Sequence, residues 1–142
     1  MPPRLEWTDD LSVGVEVLDH HHQQIVELIN RVSRTMFTGA EADMVTVVLH
    51  DLRDYATFHF REEEAHLEAQ GYSDLESHRR LHRHMAGQID EIIAMHDGGP
   101  RKVVASELHE FLSNWLVRHI RNADHAYAPL FAPPVQGAYN GT

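Results

Sequence analysis

The chain predicts an all-α fold: an antiparallel up-down-up-down four-helix bundle with an N-terminal arm and a short irregular C-terminal tail. Apolar residues recur in steps of three and four over four long segments. Only a few glycine, proline and polar residues separate those segments, which makes successive helices antiparallel neighbours. β-branched residues nowhere alternate with polar ones over a useful length, so no strand is predicted.

Residues 1–18 lack a helical period and read as an arm, held on the bundle by Trp7, Val13, Val15 and Val17. The bundle occupies residues 19–128, with helices over about 19–37, 41–68, 73–96 and 101–121. Thr38-Gly39-Ala40, Gly71-Tyr72 and Asp97-Gly98-Gly99-Pro100 separate them. Ser73 and Glu76 have the spacing of a capping box at the start of the third helix, and Pro100 suits the start of the fourth. Residues 129–142 carry Pro129, Pro133, Pro134, Gly137 and Gly141 and read as the irregular tail. No internal repeat and no second domain is visible, and 142 residues suffice for one core.

Composition removes several function classes. The net charge of −10 repels nucleic acid and anionic membrane surfaces, and no basic patch offsets it. No segment approaches the roughly 20 apolar residues that span a bilayer, and the N-terminus has no apolar signal run. The expected location is therefore the cytoplasm. Without cysteine there is no disulfide, no thiolate zinc site and no cysteine-ligated iron–sulfur cluster. Histidine is the outlier, with 13 dispersed copies, and it is the commonest metal ligand.

The core stripes show where those histidines fall. They read Leu18, His22, Ile25, Ile29, Val32, Met36 on the first helix and Met44, Val48, Leu52, Tyr55, His59, Glu63, Leu67 on the second. The third reads Leu75, His78, His82, Met85, Ile89, Ile92, and the fourth Val104, Leu108, Phe111, Trp115, His119. Burying a polar side chain without a partner costs a few kcal/mol, so interruptions on all four stripes need a shared cause. In an antiparallel bundle these interruptions lie at the same end, and Asp124 follows at the frayed end of the fourth helix.

Five imidazoles and two carboxylates are too many for one tetrahedral zinc and too rich in nitrogen for calcium or magnesium. They suit iron or manganese. With both carboxylates bridging, and an added oxo or hydroxo bridge, seven side chains fill all but one position of two octahedra.

The pattern is His22, then His59-Phe-Arg-Glu-Glu63, His78-Arg-Arg-Leu-His82 and His119-Ile-Arg-Asn-Ala-Asp124. With Trp7, Val13-Gly14-Val15, Leu18-Asp19, Tyr55-Ala-Thr-Phe-His-Phe60 and Trp115-Leu-Val-Arg-His-Ile120, it resembles the bacterial type of the hemerythrin family over about residues 5–127. The resemblance implies two iron ions with a bridging oxo or hydroxo group. It implies that His78, His82 and His119 bind one iron, His22 and His59 the other, and that Glu63 and Asp124 bridge them. The iron with two histidines would carry the vacancy and bind O2 reversibly; small anions or NO would be further ligands there. Ile25, Phe60, Trp115, Leu116 and Ile120 match the family's oxygen pocket. His21 stands where relatives often have glutamine, and Leu67 where they often have methionine. His50, His66, His84, His96, His109 and His125 have no place in the pattern and are expected at or near the surface, His66 and His125 closest to the site.

The function so implied is O2 binding for storage, delivery or sensing, not catalysis. The competing class is a di-iron enzyme, an oxidase, peroxidase or nitric-oxide reductase. Against it, the chain lacks the Glu-x-x-His repeat of ferritin-like di-iron enzymes at the ligand layer. A third reading is a sensory or interaction module that acts through a protein partner docking on the tail.

Overall fold

A computed structural model describes residues 4–38, 42–98 and 105–131. Four long helices make up the bundle: α1 (Glu16–Phe37), α2 (Ala42–Ala69), α3 (Leu75–Gly98) and α4 (Ala105–His119). α1 packs on both α2 and α4, and α2 packs on α3. The expected tail beyond residue 131, Pro100, Val104 and the start of the fourth helix near 101 lie outside the described residues. Among the described residues no helix is long and apolar enough to cross a membrane.

The arm turns once at Asp9–Leu11, and α1 begins at Glu16, three residues before the expected Asp19. The early start follows from how Asp19 is used. Its carboxylate accepts the Val13 N–H at 2.8 Å and the Ser12 hydroxyl at 2.5 Å, which ties the arm across the first turn of α1. Gly14, at φ 80°, makes the bend that this needs. Farther up, Asn30 is buried and clasps the arm, accepting from Leu5 N at 2.8 Å and donating to Leu5 O at 2.9 Å.

The α2–α3 corner is a Schellman motif. Tyr72 N donates to Leu67 O and Gly71 N to Glu68 O, both at 3.0 Å, with Gly71 at φ 68° in the left-handed region that glycine adopts without strain. α3 then starts at Leu75, where the Asp74 carbonyl accepts from His78 N at 3.0 Å. Asp74, not Ser73, occupies the capping position, so the Ser73/Glu76 pair is out of register with the helix start.

The apolar core has two parts. The larger gathers Ile25, Leu52, Phe60, Ile89, Leu112, Trp115 and Ile120 with their neighbours. The smaller gathers Val13, Leu18, Leu67 and Tyr127. Between them each stripe turns polar. Three expected anchors are instead exposed: Met44 (54%), Phe111 (39%) and Val17 (44%). Val45, Leu112 and Leu11 are buried in their neighbourhoods. A helical stripe advances by three or four residues, and where both candidates are apolar the pattern alone does not choose between them.

Candidate metal centre

Six polar side chains from the four helices, and Asp124 from the turn that follows α4, meet in the layer between the two core clusters. His22, His59, Glu63, His78, His82 and Asp124 are at most 3% exposed. The His119 side chain is 7% exposed. Their donor atoms form two overlapping groups: Glu63, His78, His82, His119 and Asp124, and His22, His59, Glu63 and Asp124. Within each group the donor atoms lie within 4.8 Å of one another.

Helical geometry explains the convergence. His59 and Glu63 are one turn apart on α2, as are His78 and His82 on α3. His22 comes from the second turn of α1. Asp124 needs a different device. In an α-helix a residue five beyond His119 would lie about 140° around the axis. Here the chain widens into a π-helical turn, Ile120–Asp124, in which His125 N–H donates to Ile120 O. The wider turn brings Asp124 onto the same side as His119, with Asp124 Oδ1 3.2 Å from His119 Nε2.

The carboxylates divide their oxygens between the two groups. Glu63 Oε1 is 2.8 Å from His78 Nε2 and 3.0 Å from His82 Nε2. Glu63 Oε2 faces His59 Nε2 at 3.4 Å and His22 Nε2 at 3.7 Å. Asp124 Oδ1 lies 3.1 Å from His78 Nε2, and Oδ2 lies 3.1 Å from His22 Nε2. Each carboxylate thus presents one oxygen to a three-histidine group and the other to a two-histidine group.

Two adjacent buried carboxylates require positive charge beside them. Burial pushes the carboxyls of Glu63 and Asp124 upward, but the surrounding histidines outweigh it and hold both below the usual range. Burial alone would lower His78; the Asp124 and Glu63 carboxylates beside it instead lift it to about 9. His22 and His82 are raised in the same way, by Asp124 and Glu63 respectively, whereas His59 is lowered by burial. Both Asp124 oxygens, His82 Nε2 and His119 Nε2 are buried without a hydrogen-bond partner among the described residues. Convergent nitrogen and carboxylate donors left unpaired in a dry layer fit a cation or a pair of cations.

A second ring of residues holds the first. The Tyr127 hydroxyl, fully buried, donates to Glu63 Oε2 at 2.6 Å. Burial and the two carboxylates push its phenol far above the usual range, so it stays protonated. Glu64 Oε2 is 2.7 Å from His82 Nδ1. His21 Nδ1 is 3.0 Å from His59 Nδ1, and burial holds that imidazole below its ordinary value. Sequence reasoning missed Tyr127, Glu64 and the role of His21. Their contacts join residues 18 to 64 positions apart, and no local pattern announces them.

The apolar residues Ile25, Phe60, Trp115, Leu116 and Ile120 are all buried around this layer. Phe60 stacks on His82, with ring centroids 4.1 Å apart. The Trp115 indole N–H donates to Met85 O at 3.3 Å, a link from α4 to α3. Outside it runs a surface cleft of about 450 Å³, lined by Leu81, Met85, Phe111, Trp115, Arg118 and His119 among others. Of the remaining histidines, His84 is exposed and His50, His66 and His125 are half-buried, as expected. His109 is buried instead, close to the Ser113 hydroxyl at 3.3 Å.

The fold and the cluster define a class: four-helix bundles that carry a histidine–carboxylate cation site in the core. A family profile described as "Hemerythrin HHE cation binding domain" matches residues 13–131. Bacteriohemerythrin of Pseudomonas aeruginosa (strain LESB58) is 36% identical over 123 residues, covering 87% of this chain and 78% of that protein. Myohemerythrin of Theromyzon tessulatum is 24% identical over 127 residues, covering 89% and 93%. A crystal structure of wild-type hemerythrin superposes with a TM-score of 0.82 at 27% identity, covering 91% of this chain and 98% of that one. The chain belongs to the hemerythrin family.

Proposed function

We propose that this chain binds O2 reversibly at a di-iron centre, for storage, delivery or sensing. The observation that carries the reading is the division of carboxylate oxygens: Glu63 and Asp124 each offer one oxygen to His78, His82 and His119, and the other to His22 and His59. Such a set suits two cations that share both carboxylates, and imidazole with carboxylate suits iron. Membership of a family known for O2 binding at a di-iron site supports the choice. Iron held by these seven side chains would supply the electrons for reversible O2 binding.

The protein's part is positioning and exclusion. His78, His82 and His119 would occupy three positions on one ion, and His22 and His59 two on the other, so the two-histidine half keeps room for a diatomic ligand. Small anions or NO would compete for the same room. Ile25, Phe60, Trp115, Leu116 and Ile120 offer no buried side-chain acid or base, and a dry apolar wall disfavours entry of water and anions. The nearest phenol, Tyr127, is already committed to Glu63 and holds its proton. Binding without further chemistry is therefore favoured over catalysis.

Stopped-flow mixing of the reduced, iron-loaded protein with O2 tests this. A coloured adduct that disappears under argon and reforms with O2 is the expected result. Steady consumption of reductant or peroxide, with no stable adduct, would assign the chain to the enzyme class.

A further inference from the structure

Behind the inner ring of donors, the outward-facing nitrogens of three histidines have different surroundings. His82 Nδ1 meets a carboxylate, Glu64 Oε2, at 2.7 Å. His59 Nδ1 meets another imidazole, His21 Nδ1, at 3.0 Å. His22 Nδ1 is buried with no hydrogen-bond partner among the described residues. The polarising partner therefore sits behind the three-histidine group, and weaker or absent ones sit behind the two-histidine group.

We propose that His21 is a positioning residue for His59, accepting the Nδ1–H of that ring and thereby setting its tautomer, its orientation and its donor strength toward the centre. This rests on the di-iron reading above. His59 turns Nε2 toward Glu63 Oε2, 3.4 Å away. With Nε2 giving its lone pair inward, the ring proton must sit on Nδ1, where only an acceptor can receive it. His21 must then present a lone pair at Nδ1 and carry its own proton on Nε2.

His21 is held for that task. It is 5% exposed, and it meets the Phe58 ring edge-on at 5.2 Å between centroids and the Tyr55 ring at 6.0 Å. These contacts leave the ring little freedom to turn away from His59.

A neutral acceptor draws the Nδ1 proton less than a carboxylate does, so His59 is a weaker donor than His82. A metal ion held by His22 and His59 would thereby be less electron-rich than one held by His78, His82 and His119. Such an ion would give up electrons less readily, which would favour reversible O2 binding over irreversible oxidation. The chain thus carries an unequal pair of outer supports, graded between the two halves.

Three full-length variants test it: His21→Leu, His21→Gln and His21→Glu. Each is loaded with iron anaerobically, checked for helix content by circular dichroism, and followed by chelator-induced iron release and by reduction potential. The leucine variant fills the space without accepting a proton. It should release one of its two irons with an affinity loss of 10- to 100-fold, the usual scale for an outer-sphere partner. The carboxamide oxygen in His21→Gln can accept the Nδ1–H and should restore retention. The carboxylate in His21→Glu should lower the reduction potential of the centre relative to wild type.

Wild-type retention and potential in the folded leucine variant would overturn the proposal, as would a glutamine variant no better than leucine. Wild-type protein that never holds two irons would overturn the di-iron reading as well. Two irons in wild type with no response at position 21 would overturn the His21 role alone.

Discussion

Replacing Tyr127 with phenylalanine isolates one hydrogen bond that supports the centre. The ring is fully buried and packs edge-on against His78, Tyr72 and Phe131, at centroid distances of 5.6, 6.3 and 5.7 Å. Phenylalanine keeps those contacts and removes only the hydroxyl. What is lost is a 2.6 Å bond to Oε2 of a buried carboxylate. A hydrogen bond to a charged group contributes about 1.5–3 kcal/mol, and no solvent reaches Glu63 to replace it. In a domain of this size, 1 kcal/mol moves the melting temperature by roughly 3–5 °C, so a drop of about 5–15 °C is expected. The same bond orients Glu63, so iron release to a chelator should speed up by roughly 10- to 100-fold. Thermal unfolding of the iron-free and iron-loaded variant separates the two effects. A melting temperature within about 2 °C of wild type, together with unchanged iron release, would refute the reasoning.

Further outcomes follow from the same geometry. His59→Ala removes one of two histidines from the two-histidine group and should abolish O2 binding and halve the iron content, as read by metal analysis and the visible spectrum. Leu116→Ala opens a cavity at a position 3% exposed and should cost about 2–5 kcal/mol while hastening autoxidation of the oxy form; an oxy lifetime equal to wild type would contradict the exclusion role. The pH dependence of the iron-free protein should be lopsided. His78 is raised from 6.5 to about 9 in the folded chain, so its contribution is complete below 6.5 and is lost as pH rises through about 9. Glu63 and Asp124 are lowered, so theirs is present above about 4 and lost as pH falls further. Urea midpoints should therefore decline from pH 6.5 to 9, and a flat or rising profile would oppose the charge balance described.

Much of this molecule is legible in its sequence. His22, His59, Glu63, His78, His82 and His119 stood out because each interrupts an apolar stripe, and a polar group in a core is conspicuous at any helical phase. Met44 and Phe111 are exposed while Val45 and Leu112 beside them are buried; the members of each pair are equally apolar, so hydropathy carries no information about which one turns inward. Tyr127 escaped notice because the expected helix stopped near residue 121, and past that point a 3.6-residue period no longer locates a side chain. Glu64 was masked by its neighbours in Glu62-Glu63-Glu64, and its contact with His82 depends on how α2 and α3 pair. Patterning reveals which residues must leave water; which of them touch across helices is a property of packing.

The widened turn at Ile120–Asp124 makes the spacing of the backbone itself a functional element. It carries one extra residue relative to a regular helix; Asp124 closes it and Tyr127 lies downstream of it. Excising Arg121 or Asn122, which are exposed, would swing that carboxylate and that phenol out of phase together. Replacing either side chain with alanine would leave them where they are. A scan by substitution would pass over Arg121 and Asn122 as dispensable, and only a change in chain length would expose what their backbone does.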